Sequence, residues 1–185
     1  QALFTNTTGA FNTAHGSQAL RGNTTASNNT AVGYLAGYAN TTGELLVAVG
    51  GQSLYSNTTG DRNTGTGWYS LVLNTTGSYN TAFGNQALYA NTTANSNVAV
   101  GYQSFYANTT GAKNSVLGTN ALDANTTGAN NVAIGFEALT SNTTASENVA
   151  VGYTALYSNT TAAANTGVGY QAGYNITTGA NNVVV

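Results

Sequence analysis

Residues 125–141 read NTTGANNVAIGFEALTS, and variants of this 17-residue unit follow one another along the whole chain. When the first Asn of the unit is numbered position 1, every unit begins with Asn-Thr-Thr except the last, which begins with Ile-Thr-Thr. Self-similarity at a fixed, uninterrupted period is typical of a repeat architecture, so we predict a single uncapped repeat array over residues 1–185. The eleven units begin at Asn6, Asn23, Asn40, Asn57, Asn74, Asn91, Asn108, Asn125, Asn142, Asn159 and Ile176.

The length of the unit selects the fold class. Helical repeats need about 30 to 45 residues and propeller blades about 40 or more, so a unit of 17 residues fits neither. Within each unit β-branched residues alternate around Ala and are flanked by turn residues, which indicates strand, turn, short strand, turn. We therefore predict an all-β protein, a parallel β-solenoid in which each unit forms one coil. Eleven coils at about 4.8 Å each would make a rod roughly 50 Å long.

Two further positions are nearly constant along the array. Position 11 is Gly in all ten units that reach it, as expected for a turn with positive φ or for closely approaching backbones. Position 7 is Asn in every unit except the third, which has Leu46. Because each residue of a solenoid stacks on its counterpart, an Asn amide can donate to one neighbouring coil and accept from the other. We predict a structural Asn ladder at Asn12, Asn29, Asn63, Asn80, Asn97, Asn114, Asn131, Asn148, Asn165 and Asn182.

The alternation of side chains along the strand gives a prediction for the core and for assembly. Positions 8 and 10 share one face of the strand, and position 10 is apolar in all but two coils, so we assign it to the core. Position 9 then faces outward, yet it is Ala, Gly or Val throughout. Small apolar residues on an outer face predict close contact with another chain, in an intertwined or side-by-side homo-oligomer that is most simply a trimer. The alternative is that these residues line tight corners of a monomeric solenoid.

Composition excludes several classes of function. Charged residues are 4% of the chain, and the three basic residues are dispersed, so they cannot form the clustered positive surface that nucleic acid requires. No apolar stretch reaches the roughly 18 residues of a membrane span, so we expect no membrane insertion. The chain has no Cys, its single histidine, His15, falls at position 10, and its acidic residues lie in different coils. We therefore expect no enzymatic activity, no catalytic residue, no cofactor and no metal site.

Every Asn-Thr-Thr is also an acceptor sequence for N-linked sugar, and two further acceptor sequences begin at Asn28 and Asn175. Sugars on the turns would supply the solubility that charge does not. The other interpretation is that Asn and Thr are simply good turn residues, and sugar linked to threonine is equally open. The candidate acceptors are Asn6, Asn23, Asn28, Asn40, Asn57, Asn74, Asn91, Asn108, Asn125, Asn142, Asn159 and Asn175.

The runs Asn131–Gly135 (NVAIG) and Asn148–Gly152 (NVAVG) resemble the repeat of trimeric autotransporter adhesin heads. The longer phrase at residues 152–161, GYTALYSNTT, is similar to the repeat arrays of bacterial and phage tail-fibre-domain proteins. The resemblance covers the whole chain. It implies a left-handed β-roll, a trimer, and a place outside the cell, on a cell or virion surface.

Repetition and resemblance together predict a structural rod, a segment of an extracellular fibre, adhesin stalk or phage tail fibre, whose main partner is itself. The alternative is a binding module. Paired threonine rows on a rod of low charge suggest an ice-binding surface, although adjacent threonines of an extended segment point to opposite sides. Aromatic residues concentrated at positions 12 and 16 cover apolar surface or, alternatively, stack on surface glycans.

Neither terminus completes a coil, because Gln1 enters at position 13 and Val185 ends at position 10. An open solenoid end exposes core and unpaired backbone groups. We therefore expect the native object to be a longer array or a stack of subunits joined end to end.

Overall fold

The computed structural model describes all 185 residues, and it contains one parallel β-sheet of 11 short strands in chain order. Each strand pairs with the next strand along the chain, and partner residues are 17 apart, as for Ala99 and Val116. The prediction of an all-β parallel solenoid is confirmed. The strands are β1 Thr13–His15, β2 Thr30–Val32, β3 Val47–Val49, β4 Thr64–Thr66, β5 Thr81–Phe83, β6 Val98–Val100, β7 Ser115–Leu117, β8 Val132–Ile134, β9 Val149–Val151, β10 Thr166–Val168 and β11 Val183–Val184.

The predicted inside and outside of the strand are reversed in the structure. Position 9 is the buried one, and Ala99 and Ala133 are 0% exposed. Positions 8 and 10 point outward, so that Val98 is 41% and Phe83 58% exposed. The physical reason is the small girth of a 17-residue coil, whose interior has room for one row of small strand residues, the largest being Val116, but not for a second row of Val and Phe.

The core is built from position 9 together with positions 14 and 15. Ala138 and Leu139 are both 0% exposed, although they are adjacent in sequence. The predicted second short strand at these positions is not formed. The chain turns here instead, and the Ala138 N–H donates to the Gly135 carbonyl. Positive φ values at Glu137 and Leu139 allow the side chains of Ala138 and Leu139 both to point inward. Twenty-two buried residues from successive coils join in one continuous cluster.

This core overturns the argument for an oligomer built on position 9. Since Ala99 and its counterparts are enclosed by their own chain, they cannot contact a second one. The alternative, in which these residues line tight corners of a monomeric solenoid, also differs from the structure, because Ala99 and its counterparts lie in the middle of the strands. Any contact between copies has to use the outward positions instead.

The glycine at position 11 is required by contact between coils. Gly101 has a φ of +132°, and a Cβ added to it would lie 2.6 Å from the carbonyl oxygen of Gly118 in the next coil. Both the backbone conformation and the close approach exclude a side chain. The same relation recurs from coil to coil, which explains why position 11 is invariant.

Three other positions of each coil, 6, 13 and 15, have positive φ although they are seldom Gly. Thr154, at position 13, is the most strained of these residues because it is β-branched and has a φ of 47°. It is also 5% exposed, and its hydroxyl has no hydrogen-bond partner. Backbone strain and an unpaired buried hydroxyl therefore coincide at one residue.

We expect Thr154→Gly to stabilise the chain by about 1 kcal/mol, because Gly adopts positive φ freely and removes the unpaired hydroxyl. Thermal unfolding followed by circular dichroism measures the change. Thr126→Gly is the matched control: Thr126 lacks positive φ and its hydroxyl donates to the Thr143 carbonyl at 3.1 Å, so glycine there should lower stability by about 1 kcal/mol. Equal destabilisation of both variants would contradict the strain assigned to Thr154.

Candidate functional surfaces

The Asn residues at position 1 form a ladder inside the rod that runs without a break from Asn6 to Asn142. Each Nδ2 donates to the Oδ1 of the preceding coil, from Asn23 bonding to Asn6 at 2.8 Å up to Asn142 bonding to Asn125 at 2.8 Å. The same Nδ2 donates to the carbonyl of position 4 in its own coil, as from Asn91 to Ala94 at 3.2 Å. The ladder stops at Asn142 and Asn159, whose Oδ1 atoms have no partner.

The Asn residues at position 7 form a second ladder beside the first. The Asn97 Oδ1 accepts the Asn114 backbone N–H at 2.9 Å, and the Asn97 Nδ2 donates to the Gly111 carbonyl of the next coil at 2.9 Å. Gly111 also accepts from the Asn108 Nδ2 at 3.0 Å, so one turn carbonyl binds an amide from each ladder. This arrangement satisfies polar backbone groups that the tight coil keeps from water. Leu46 interrupts the ladder because its side chain has no acceptor to offer.

The position-1 ladder bears directly on the candidate sites for N-linked sugar. From Asn23 to Asn159 the position-1 side chains are 0% exposed, and the Nδ2 atom to which a sugar would be joined is already donating hydrogen bonds. A glycan cannot be accommodated there in the folded coil, so the ladder explains the Asn of the Asn-Thr-Thr motif. Asn6, in the first coil, is partly buried, while Asn28 and Asn175 are exposed. These last two remain candidate acceptors by geometry.

The two threonines of each motif occupy different environments. At position 2 the hydroxyl donates to the carbonyl of the next position-2 residue, as from Thr92 to Thr109 at 3.1 Å. At position 3 the threonine is exposed in every coil, and its hydroxyl makes no hydrogen bond within the chain. The structure thus presents one regular row of free hydroxyls: Thr8, Thr25, Thr42, Thr59, Thr76, Thr93, Thr110, Thr127, Thr144, Thr161 and Thr178.

The outward side chains of positions 8 and 10 form a second surface, which we call the apolar face. It is richest in β6 to β10, where position 10 is apolar in every coil and the exposed fractions reach 49% at Leu117 and 38% at Ile134. None of the charged residues of the chain lies at positions 8 or 10. Sequence reasoning missed this surface because it assigned position 10 to the interior. The signal was present: positions 8 and 10 tolerate Thr, Ser and His, whereas position 9 never does.

Aromatic rings form short stacks along the rod axis. At position 12, next to the apolar face, the rings of Phe136, Tyr153 and Tyr170 follow one another at centroid distances of 5.4 Å and interplanar angles of 10°. At position 16, Tyr89 and Tyr106 stack at 4.9 Å. Within each stack a ring covers the face of its neighbour. Tyr34 and Tyr102, at position 12, are 50% exposed and belong to no stack. Packing accounts for the stacked rings, and glycan binding stays a prediction for the unstacked ones.

The few polar groups that could do chemistry are not brought together. His15 is exposed at position 10 of β1, and no three His, Cys, Asp or Glu residues meet as a metal-binding group. Burial raises the pKa of the Asp123 carboxyl, which lies at position 16. The structure contains no cavity. The candidate functional features are therefore the exposed rows of side chains that repeat along the rod axis.

No protein-family model matches the chain, and searches of the curated proteins and of the solved structures gave no significant match. The structure has no helix with the length and apolar character needed to cross a membrane.

Proposed function

We propose that the chain is a structural rod, a segment of an extracellular fibre, adhesin stalk or tail fibre. The observation that carries this proposal is the repetition of one hydrogen-bond set along the axis. In most coils the strand ladder, the two Asn ladders and the position-2 threonines make the same bonds to the residue 17 places away. The Asn ladders are interrupted at Leu46 and between Asn142 and Asn159. In such a stack each coil contacts only its neighbours, so length can be extended without altering the fold.

The ladders also suit a load-bearing role. Tension along the axis would be shared among the strand bonds, the side-chain amides and the threonine hydroxyls between each pair of coils. The buried amides lie where water cannot compete for their bonds, which strengthens them. The chain lacks Cys and Met, so it has no sulfur to oxidise outside the cell. These features support durability rather than turnover of a substrate.

The place, coil handedness and assembly of the rod belong to the same proposal. A cell-surface or virion-surface location and a left-handed coil rest on the resemblance to adhesin heads and tail-fibre proteins, a resemblance that also implies a trimer. The buried position-9 row no longer supports association between chains. The apolar face offers a surface for association instead, and two such faces related by a two-fold axis favour a pair of chains over that trimer.

The competing function is the ordering of water or ice by the position-3 threonines. Their exposed, unbonded hydroxyls recur at the strand spacing, and this regularity favours the idea. The position-2 threonines do not add a second row, because their hydroxyls bond to the neighbouring coil. A gap between the melting and freezing points of a solution of the purified chain would favour ice binding over the rod.

Immunogold electron microscopy of native material tests the rod. We expect antibodies against the chain to label filaments outside the cell or on virions, at regular intervals along their length. The controls are preimmune antibodies and material prepared from a source in which the gene has been deleted. Labelling confined to the cell interior, or to compact particles of roughly 50 Å, the length of eleven coils, would contradict the proposal.

A further inference from the structure

We infer that two copies of the chain pack face to face through their apolar faces, so that the working unit is a pair of rods. The inference rests on the proposed rod function and names its lateral partner, a second copy of the chain. It begins from the sheet itself, which has one side covered by its own core and the other side open. Val98, Leu117 and Ile134 are 38% to 49% exposed on that open side, where threonine, serine and, in β1, His15 lie between apolar residues.

The size of the apolar face suits a pair. Eleven coils at about 4.8 Å give a length of roughly 50 Å, and two outward residues per strand give a width of about 10 to 12 Å. The face therefore covers on the order of 550 Å², and the aromatic row at position 12 extends it. Stable complexes bury about 800 Å² per partner, so one face of this rod comes close to what a dimer needs.

The chemistry of the face also suits a second copy better than a charged partner. All eight charged residues lie at positions 5, 6, 13 and 16, so two apolar faces can meet without burying a charge. Their β-branched side chains stand at the strand spacing in regular rows, which allows the rows of one sheet to fit between those of another at a separation of about 10 Å. Two identical faces related by a two-fold axis make a closed, self-complementary contact.

The contrast with the position-3 surface makes the inference specific. Both surfaces belong to the same coils and both are exposed, but position 3 carries only threonine, with its hydroxyls open to water. A face exposed only to solvent could have threonine at position 10 as well, as β4 has in Thr66. Instead β6 to β10 have Val, Leu or Ile there in every coil.

The test compares two triple variants made in the same three coils. Val100→Lys, Ile134→Lys and Val168→Lys place charges on the apolar face, in alternate coils to limit repulsion. Thr93→Lys, Thr127→Lys and Thr161→Lys place the same charges at position 3. The readout is mass per unit length from small-angle scattering, which counts chains side by side even where rods also join end to end.

One chain contributes 18.7 kDa over the length of the array. The unmodified chain and the position-3 variant should each give twice that mass per unit length. The position-10 variant should give half their value while keeping its circular dichroism spectrum. If lysine prevents folding, Thr at the same three positions replaces it, since Thr66 already occupies position 10.

A single-chain value for the unmodified chain, or a doubled value retained by the folded position-10 variant, would overturn the pairing. Three chains per length would also overturn it and favour a trimer. In each of these cases the length of the rod is unchanged. Failure of the pairing is therefore distinguishable from failure of the rod, which would appear as the loss of filament labelling.

Discussion

Replacing Ala99 with Glu is expected to unfold the solenoid. Ala99 is 0% exposed, and the residues paired with it in the neighbouring coils, Ala82 and Val116, are buried as well. A carboxylate there would lose its hydration without gaining a partner, and its side chain would need space that the narrow interior lacks. We expect a loss of more than about 4 kcal/mol in the free energy of unfolding, measured by denaturant titration followed by circular dichroism.

The matched control is Val98→Glu, one residue earlier. Val98 points outward and is 41% exposed, so the same charge should leave the coil folded and change its stability by less than about 1 kcal/mol. The comparison also separates a core position from a contact between chains. If position 9 lay between chains, Ala99→Glu would release folded single chains at low concentration, and that result would contradict the structure.

The period of the sequence was sufficient to predict a parallel β-solenoid, because 17 residues are too few for a helical repeat or a propeller blade. The assignment of faces failed for a physical reason. The larger apolar residues were placed inside, as in a globular domain, but the interior of this coil is filled by Leu139 and its counterparts reaching across from position 15. Ala133 completes the packing on the strand side, and Val132 and Ile134 are left outside.

The two faces of the strand are distinguished by whether they accept polar residues, rather than by the size of their apolar residues. Thr66 and His15 show that position 10 accepts polar residues, whereas position 9 admits only residues that fit a small apolar space. A row that never becomes polar is the better guide to the interior of a narrow solenoid. The same reasoning applies to Asn91 and its counterparts, whose near-constancy at position 1 reflects a buried ladder.

The turn conformations could not be predicted from residue type. Positive φ is expected at Gly, Asn or Asp, but here it occurs at Leu88, Phe105 and Glu137. The bonds between coils impose it: the Phe105 N–H donates to the Ala121 carbonyl of the next coil at 2.9 Å. The hydrogen bonds between stacked coils outweigh the local conformational preference of each residue type. A prediction made from one coil alone cannot include these bonds.

The second large effect is expected at Asn97, in the position-7 ladder. Its Oδ1 accepts from the backbone N–H of Asn114, and its Nδ2 donates to the Gly111 carbonyl. Asn97→Ala removes the only acceptor for a buried N–H and leaves a small cavity, so we expect a loss of about 2 to 4 kcal/mol at any pH. Chemical unfolding at pH 7 and at pH 3 measures it.

Asn97→Asp keeps the shape and the acceptor but replaces the donor with a carboxylate oxygen facing the Gly111 carbonyl. Burial and this repulsion should raise the pKa of the new carboxyl in the folded chain, because both disfavour its charged form. A raised pKa means that stability is present below the unfolded pKa of about 3.9 and is lost as pH rises through the folded value. The stability of the variant should therefore approach that of the parent at pH 3 and fall well below it at pH 7.

Asn95→Asp is the control. Asn95 is exposed, and its side chain makes a single hydrogen bond, in which Oδ1 accepts from the Ser78 N–H at 2.7 Å. A destabilisation of Asn97→Asp that does not change with pH would show that the donor of the ladder contributes little, and the Asn rows would then need another explanation.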